Sequence, residues 1–183
     1  MKLSALALSA MLSVSALVGV AYAANPDVGG AAMFEDKNII ENAVNSADHT
    51  TLVAAVTAAG LVETLSGPGP FTVFAPVNAA FEALPAGTVD TLLMPENKAT
   101  LTAVLTYHVV AGDIKSADLI KMITDAGGTL KVATVQGGEL SFAIDNGAVK
   151  ITDATGGVAT VTIADVDQSN GVIHVIDKVL LPQ

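Results

Sequence analysis

The 183-residue sequence contains no cysteine and no arginine, and only three histidines. Without cysteine there is no disulfide, no thiolate ligand and no lipid-modified N-terminal Cys, so stability must come from packing and hydrogen bonds. Without arginine there is no planar fork for a bidentate grip on phosphate or carboxylate. The eight cations are all lysines, set against 18 acids for a formal net charge of −10. Such a surface repels nucleic acid, heparin-like polyanions and anionic lipid, which leaves cationic or neutral partners. Three histidines offer little general-base capacity. A Gly-x-Ser-x-Gly elbow and a His-Glu-x-x-His helix are also missing, so the common hydrolase and zinc-protease arrangements have no footing. The expectation is a protein that is not an enzyme and holds neither metal nor cofactor.

What is present begins with an export signal. Lys2 supplies a positive start, Leu3 to Val20 an apolar stretch and Ala21-Tyr22-Ala23 a small-x-small cleavage pattern. Four serines dilute the stretch, which argues against an uncleaved membrane anchor. Residues 1–23 therefore read as a signal peptide cut after Ala23, and the product as periplasmic or secreted, without a membrane anchor. Its removal leaves 160 residues, enough for one domain with a sizeable core. Seven lysines then face 18 acids, a formal −11.

Residues 24–34 are small and aperiodic and read as a flexible leader; residues 35–183 read as the domain. Ile39, Ile40, Ala43 and Val44 recur at helical spacing. Asp48 is placed to cap a second run through Leu52, Val53 and Val56, which Gly60 stops. A short helical piece, Leu61 to Leu65, leads to the turn cluster Ser66 to Pro70 and a strand, Phe71 to Ala75. Asn78 is a natural N-cap for Ala79 to Leu84. Helical spacing returns over Thr88 to Met94, Glu96 to Leu105 and Ser116 to about Asp125. The remainder alternates or runs apolar between Gly, Asn and Asp turns: Thr129 to Val135, Glu139 to Ile144, Ala148 to Thr152, Val158 to Ala164 and Val172 to Leu181. Helices first and hairpin-linked strands afterwards predict an α+β fold with a mainly antiparallel sheet.

Three segments resemble the fasciclin family of extracellular domains, over roughly Asn38 to Pro182. The first runs from Gly69-Pro70-Phe71-Thr72 through Val73-Phe74-Ala75-Pro76-Val77-Asn78 to Phe81. The second is the pair Tyr107-His108. The third is Asn170-Gly171-Val172-Ile173-His174-Val175-Ile176-Asp177 and onward to Pro182. The resemblance implies a β-sandwich or wedge of about seven strands with a helical layer along one side. It also implies adhesion or matrix binding, so that a cell-surface or matrix protein or polysaccharide is the expected partner. Phe71, Thr72, Phe74, Ala75, Pro76, Asn78, Phe81, Asn170, Gly171, His174 and Asp177 are expected to be structural.

Candidate binding residues follow from the same resemblance. Tyr107 and His108 match a position implicated in receptor adhesion by animal members, although burial and hydrogen bonding account for such a pair more simply. Asp165-Val166 matches, with one conservative change, an Asp-Ile pair associated with integrin adhesion; a solvated loop is the plainer reading. His108 and His174 lack a third ligand at metal spacing. Asp165 to Gly171 begins like a calcium loop but has its glycine at position seven and Ile176 at position twelve. Gly67-Pro68-Gly69-Pro70 lacks the N–H donors of a phosphate cradle. His49, at a helix start, reads as capping or solvent-exposed. A single domain bridges two surfaces only with two sites or by self-association, so a homo-oligomer is open to it. The alternative function is carriage of an apolar lipid or pigment between helices and sheet.

Overall fold

The computed structural model describes residues 25–183, and the expected signal peptide lies outside the described residues. Among the described residues two very short strands come first, β1 (Asp27–Val28) and β2 (Ala31–Ala32), paired as a hairpin. Helices α1 (Ile39–Ala43), α2 (Thr50–Ala59) and α3 (Val62–Ser66) follow. At α1, Asn38 accepts from the Ile40 and Glu41 N–H groups while Glu41 reaches back to the Asn38 N–H, a reciprocal capping box. Helix α2 buries Leu52, Ala55, Val56 and Ala59, the three-and-four spacing read from sequence. It stops where predicted, at Gly60, whose φ of 74° is the left-handed turn glycine allows.

Strand β3 (Phe71–Pro76) leads to α4 (Asn78–Glu82), α5 (Thr88–Leu93) and α6 (Lys98–Tyr107). Then come β4 (Val109–Ala111), α7 (Ser116–Asp125), β5 (Thr129–Ala133), β6 (Glu139–Asp145), β7 (Ala148–Thr152), β8 (Val158–Gln168) and β9 (Gly171–Ile176). The last seven strands form one sheet in the order β4-β3-β9-β8-β7-β6-β5. Five of its six pairings are antiparallel. The exception joins β3 to β9, in parallel and in register from Phe71 opposite Gly171 to Pro76 opposite Ile176. The first and third signatures are thus neighbouring strands. The sheet curls until the Val135 N–H reaches the Val109 carbonyl at 2.8 Å, which brings its two ends together.

Two apolar cores result. One lies between the helices and the sheet, built from Leu52, Val56, Val73, Phe81, Leu101, Val104, Leu105 and Ile173. The other fills the curled sheet around Phe74, Tyr107, Phe142, Ile151, Ile176 and Leu180, with Leu119 and Ile123 of α7 as its plug. The α+β wedge of seven strands with a helical layer stands as expected.

Several local readings change. Val28 and Met33, inside the supposed leader 24–34, are buried in the first core. Their apolar side chains sit too far apart in a glycine-containing stretch to show a period. Val109–Ala111 is a strand because it pairs with Phe71–Val73, a tertiary partner that three residues cannot reveal. Strand β9 ends at Ile176, well before Leu181, since the Leu180 N–H bonds a histidine instead of a neighbouring strand. Asp165 and Val166 lie within β8 and not in a solvated loop; Val166 is buried, and Asp165 takes a φ of 56° at an irregularity in the pairing with β9. Asn78 does not cap its own helix. Its Oδ1 accepts the Thr51 N–H at 3.0 Å and its Nδ2 donates to the Ala47 carbonyl at 2.8 Å, so it caps α2 from a distance.

Candidate functional site

Helix α6 delivers Tyr107 and His108 to the seam between the two cores, where they are 0 % and 2 % exposed. The Tyr107 hydroxyl donates to the Glu139 carbonyl at 2.8 Å and accepts the Ala154 N–H at 3.0 Å. His108 Nδ1 donates to the Val104 carbonyl at 2.7 Å and its Nε2 accepts the Leu180 N–H at 2.9 Å. Those partners fix the neutral tautomer. Burial pushes the imidazole down to about 4, against smaller opposing effects of the Val104 carbonyl and Asp153. Burial likewise raises the Tyr107 phenol.

The remaining polar signature residues follow one pattern. Thr72 Oγ1 donates to the Gly112 carbonyl at 2.7 Å and accepts the Ile114 N–H at 2.9 Å. His174 Nε2 donates to the Ile114 carbonyl at 2.8 Å, while its Nδ1 accepts the Asp165 N–H at 3.3 Å. Both polar atoms of Ile114, in the β4–α7 loop, are therefore held by the two parallel signature strands. Asp165 joins the same knot: its carboxylate takes the Ser116 N–H at 2.6 Å and the Ser116 hydroxyl, at the first residue of α7. Carboxylate at a helix start suits the positive end of the helix. Asn170 accepts the Ile39 N–H at 3.1 Å and donates to the Leu65 and Gly67 carbonyls at 2.7 and 2.9 Å. Asp177 accepts the Thr160 N–H at 2.7 Å. Phe74 packs on the rings of Phe142 and His174, with centroids 5.3 and 5.5 Å apart.

Apart from Phe74, each of these side chains bonds backbone groups, most of them in loops, at helix ends or at strand irregularities that regular pairing leaves open. His108 and His174 have both ring nitrogens committed, so neither retains a lone pair for a metal. Among the described residues no group of three or more His, Asp or Glu side chains is placed to hold one.

Sequence reasoning missed two further buried networks. Asp153 is buried, with Oδ1 accepting from Thr155 N–H, Thr155 hydroxyl and Gly157 N–H, and Oδ2 from the Leu181 N–H at 3.0 Å. The run Asp153-Ala154-Thr155-Gly156-Gly157 carried the signal, because Asp followed by small residues makes an Asx turn. Buried Asn42 clasps both the N–H and carbonyl of Phe34 and bonds Gln168. No local pattern marks that pair.

His49 is buried, not exposed, and makes no cap; Ser46 Oγ lies 2.9 Å from its Nδ1 and its Nε2 is unpartnered. It lines an apolar cavity of about 20 Å³, adjoining a second of about 30 Å³. Ligand sites for lipid or pigment run to roughly 300 Å³ and more, so these cavities as they stand hold neither. A broad open recess of about 460 Å³ lies beside Tyr107, walled by Gln136, Gly137, Gly138, Ala154, Pro182 and Gln183. No side chain in it carries a formal charge.

Fold and site together define a curled β-wedge whose signature side chains are turned inward onto its own backbone. The fasciclin domain model matches residues 47–182, and the chain belongs to that family. It is 52 % identical over 155 residues to Protein sll1483 of Synechocystis sp., covering 85 % of this chain and 79 % of that one. Immunogenic protein MPB70 of Mycobacterium bovis is 38 % identical over 145 residues, 76 % of this chain and 66 % of its own. Among solved structures, an insect pair of FAS1 domains from the cell adhesion molecule Fasciclin I superposes with a TM-score of 0.71. That match has 20 % identity and covers 79 % of this chain and 51 % of the pair. The likeness to the insect pair is one of fold.

Proposed function

We propose that the protein is an exported, non-enzymatic binding module that attaches to a cell-surface or matrix protein or polysaccharide. The observation that carries this reading is the contrast between an inward-turned signature and a recess of uncharged side chains beside Tyr107. Gln136 and Gln183 supply amides there: Gln136 Oε1 accepts the Gly138 N–H at 2.9 Å and Gln183 Nε2 donates to the Ala154 carbonyl at 2.6 Å, which leaves Gln136 Nε2 and Gln183 Oε1 for a ligand. Neutral donors and acceptors suit hydroxyl-rich sugars and peptide backbone better than ions. The family's association with adhesion, stated outright for the insect Fasciclin I, points the same way. Export to the periplasm or beyond rests on the expected leader, residues 1–23. Among the described residues no helix is long and apolar enough to cross a membrane.

Catalysis finds little support because His108 and His174 are consumed by structure and His49 is sealed in an apolar core. The test is adhesion of purified protein to cells, matrix proteins and polysaccharides, beside a Gln136→Arg variant and a strain lacking the gene. Saturable binding weakened by Gln136→Arg is expected. Absence of binding to every surface, with no phenotype in the deletion strain, would remove the reading. Solution mass decides whether bridging runs through a homo-oligomer.

A further inference from the structure

In an Asn-Gly dipeptide the backbone nitrogen reaches the preceding side-chain amide with least obstruction, because glycine has no side chain to block the approach. The chain holds two such pairs, Asn146-Gly147 and Asn170-Gly171, and the fold treats them in opposite ways. Asn170 is pinned. Its Oδ1 accepts the Ile39 N–H at 3.1 Å and its Nδ2 donates to the Leu65 and Gly67 carbonyls at 2.7 and 2.9 Å, so turning the amide breaks three bonds. Gly171 pairs with Gln168 across the β8–β9 turn and crosses the Phe71 backbone with no room to move. Asn146 and Gly147, by contrast, form the exposed two-residue turn between β6 and β7, closed by Asp145 opposite Ala148. Their φ values, 52° and 82°, are both positive, as a type I′ hairpin turn requires. A single bond holds the Asn146 side chain, from Nδ2 to the Asp145 carboxylate at 3.0 Å. Among the described residues the Gly147 N–H has no acceptor, and a Cβ placed on Gly147 meets nothing within 4 Å.

We propose that Asn146 is a site of spontaneous hydrolytic deamidation in the folded protein, while the fold protects Asn170. The Gly147 nitrogen attacks Asn146 Cγ; the new N–Cγ bond closes a cyclic imide and the Cγ–Nδ2 bond breaks. The amide nitrogen leaves as ammonia, with its own hydrogens and the one from Gly147. Water then opens the imide at either carbonyl. Attack at Cγ gives aspartate, and attack at the main-chain carbonyl gives isoaspartate, in which the chain runs through the side-chain carbons. Water in and ammonia out balance the conversion, with no change of oxidation state. Either product sets a second carboxylate beside Asp145, on a chain that already has an excess of acids. Isoaspartate also lengthens a turn whose two residues set the β6–β7 register. This tip lies at the opposite end of the hairpins from the β5–β6 and β7–β8 turns, which supply Gln136 and Ala154 to the recess. The inference is therefore independent of adhesion.

The folded protein is incubated at mildly alkaline pH in ¹⁸O-enriched water, and peptides spanning Asn146 and Asn170 are followed by mass spectrometry. Conversion with uptake of the label is expected at Asn146, with isoaspartate exceeding aspartate. Asn170 is expected to convert at least about a hundredfold more slowly, because its reaction waits for the fold to open. In urea, where both turns are released, the two rates should converge. Asn146→Gln should remove the new acidic form on ion exchange. Equal rates at the two sites in the folded protein would overturn the proposal. So would an Asn146 amide that persists in the folded protein while the urea-unfolded chain converts, since the turn would then be protecting it. Aspartate alone at Asn146 would mean direct hydrolysis and would remove the role given to Gly147.

Discussion

His108 Nε2 accepts the Leu180 N–H at 2.9 Å across 72 positions of sequence, inside the seam between the two cores. Leu180 has left strand β9 and has no ladder partner there. His108 is what makes burial of the C-terminal segment affordable in hydrogen bonds, because an unpaired buried N–H costs about 1–3 kcal/mol.

Replacing His108 with Leu should therefore destabilise the fold by about 3 kcal/mol, through the orphaned Leu180 N–H and the lost bond to Val104. Urea unfolding measures it. A loss under about 1 kcal/mol would mean that His108 does not hold this segment.

The same residue sets an acid limit. Unfolded histidine titrates near about 6.5, whereas folded His108 is held down to about 4 by burial. As pH falls, the unfolded chain takes up the proton first. Stability is complete above the unfolded value and is lost between about pH 6.5 and 4, by about 3 kcal/mol from this group. His49 and His174, also lowered chiefly by burial, act in the same direction. Unfolding curves at pH 7, 5.5 and 4.5 should show the decline, with a shallower slope in His108→Leu.

Gly171 and Gly69 mark a backbone crossing with no room for a side chain. A Cβ at Gly171, where φ is 156°, would lie 1.9 Å from the Phe71 carbonyl oxygen, and one at Gly69 would lie 1.9 Å from that of Asn170. Gly171→Ala should cost more than about 4 kcal/mol or prevent folding. Gly137→Ala, with φ of 103° but open space around it, should cost about 1 kcal/mol. Thermal melts of the two variants separate a steric crossing from a merely strained turn.

Asn78→Ala removes the acceptor for the Thr51 N–H and the donor to Ala47. The expected loss is about 1–2 kcal/mol. Increased amide exchange should appear at the start of α2 and not at α4, which Asn78 begins but does not cap.

Element type was largely legible in the sequence. Gly60 stopped α2, Ser116–Asp125 and Ala148–Thr152 were read with their observed ends, and only strands follow α7, as periodicity required. What failed was remote partnership. Asn78 carries the chemistry of a cap, yet nothing local says that it caps α2. Asp165 reads as a loop residue because its role depends on Ser116, 49 positions away. The His49 cavity exists only once Val28 and Met33 fold over α2, and their spacing has no period to announce it. The signature residues were recognisable, but their common task of satisfying loop backbone became visible only with their partners.

That common task is most directly tested by amide hydrogen exchange at Ile114, Ala154 and Leu180. All three lie outside the strands and helices, and their N–H groups bond only to the side chains of Thr72, Tyr107 and His108. If these side chains frame the fold, the three amides exchange only on global or near-global unfolding, with protection comparable to β3 and β9. Exchange at the rate of free loop amides would contradict it.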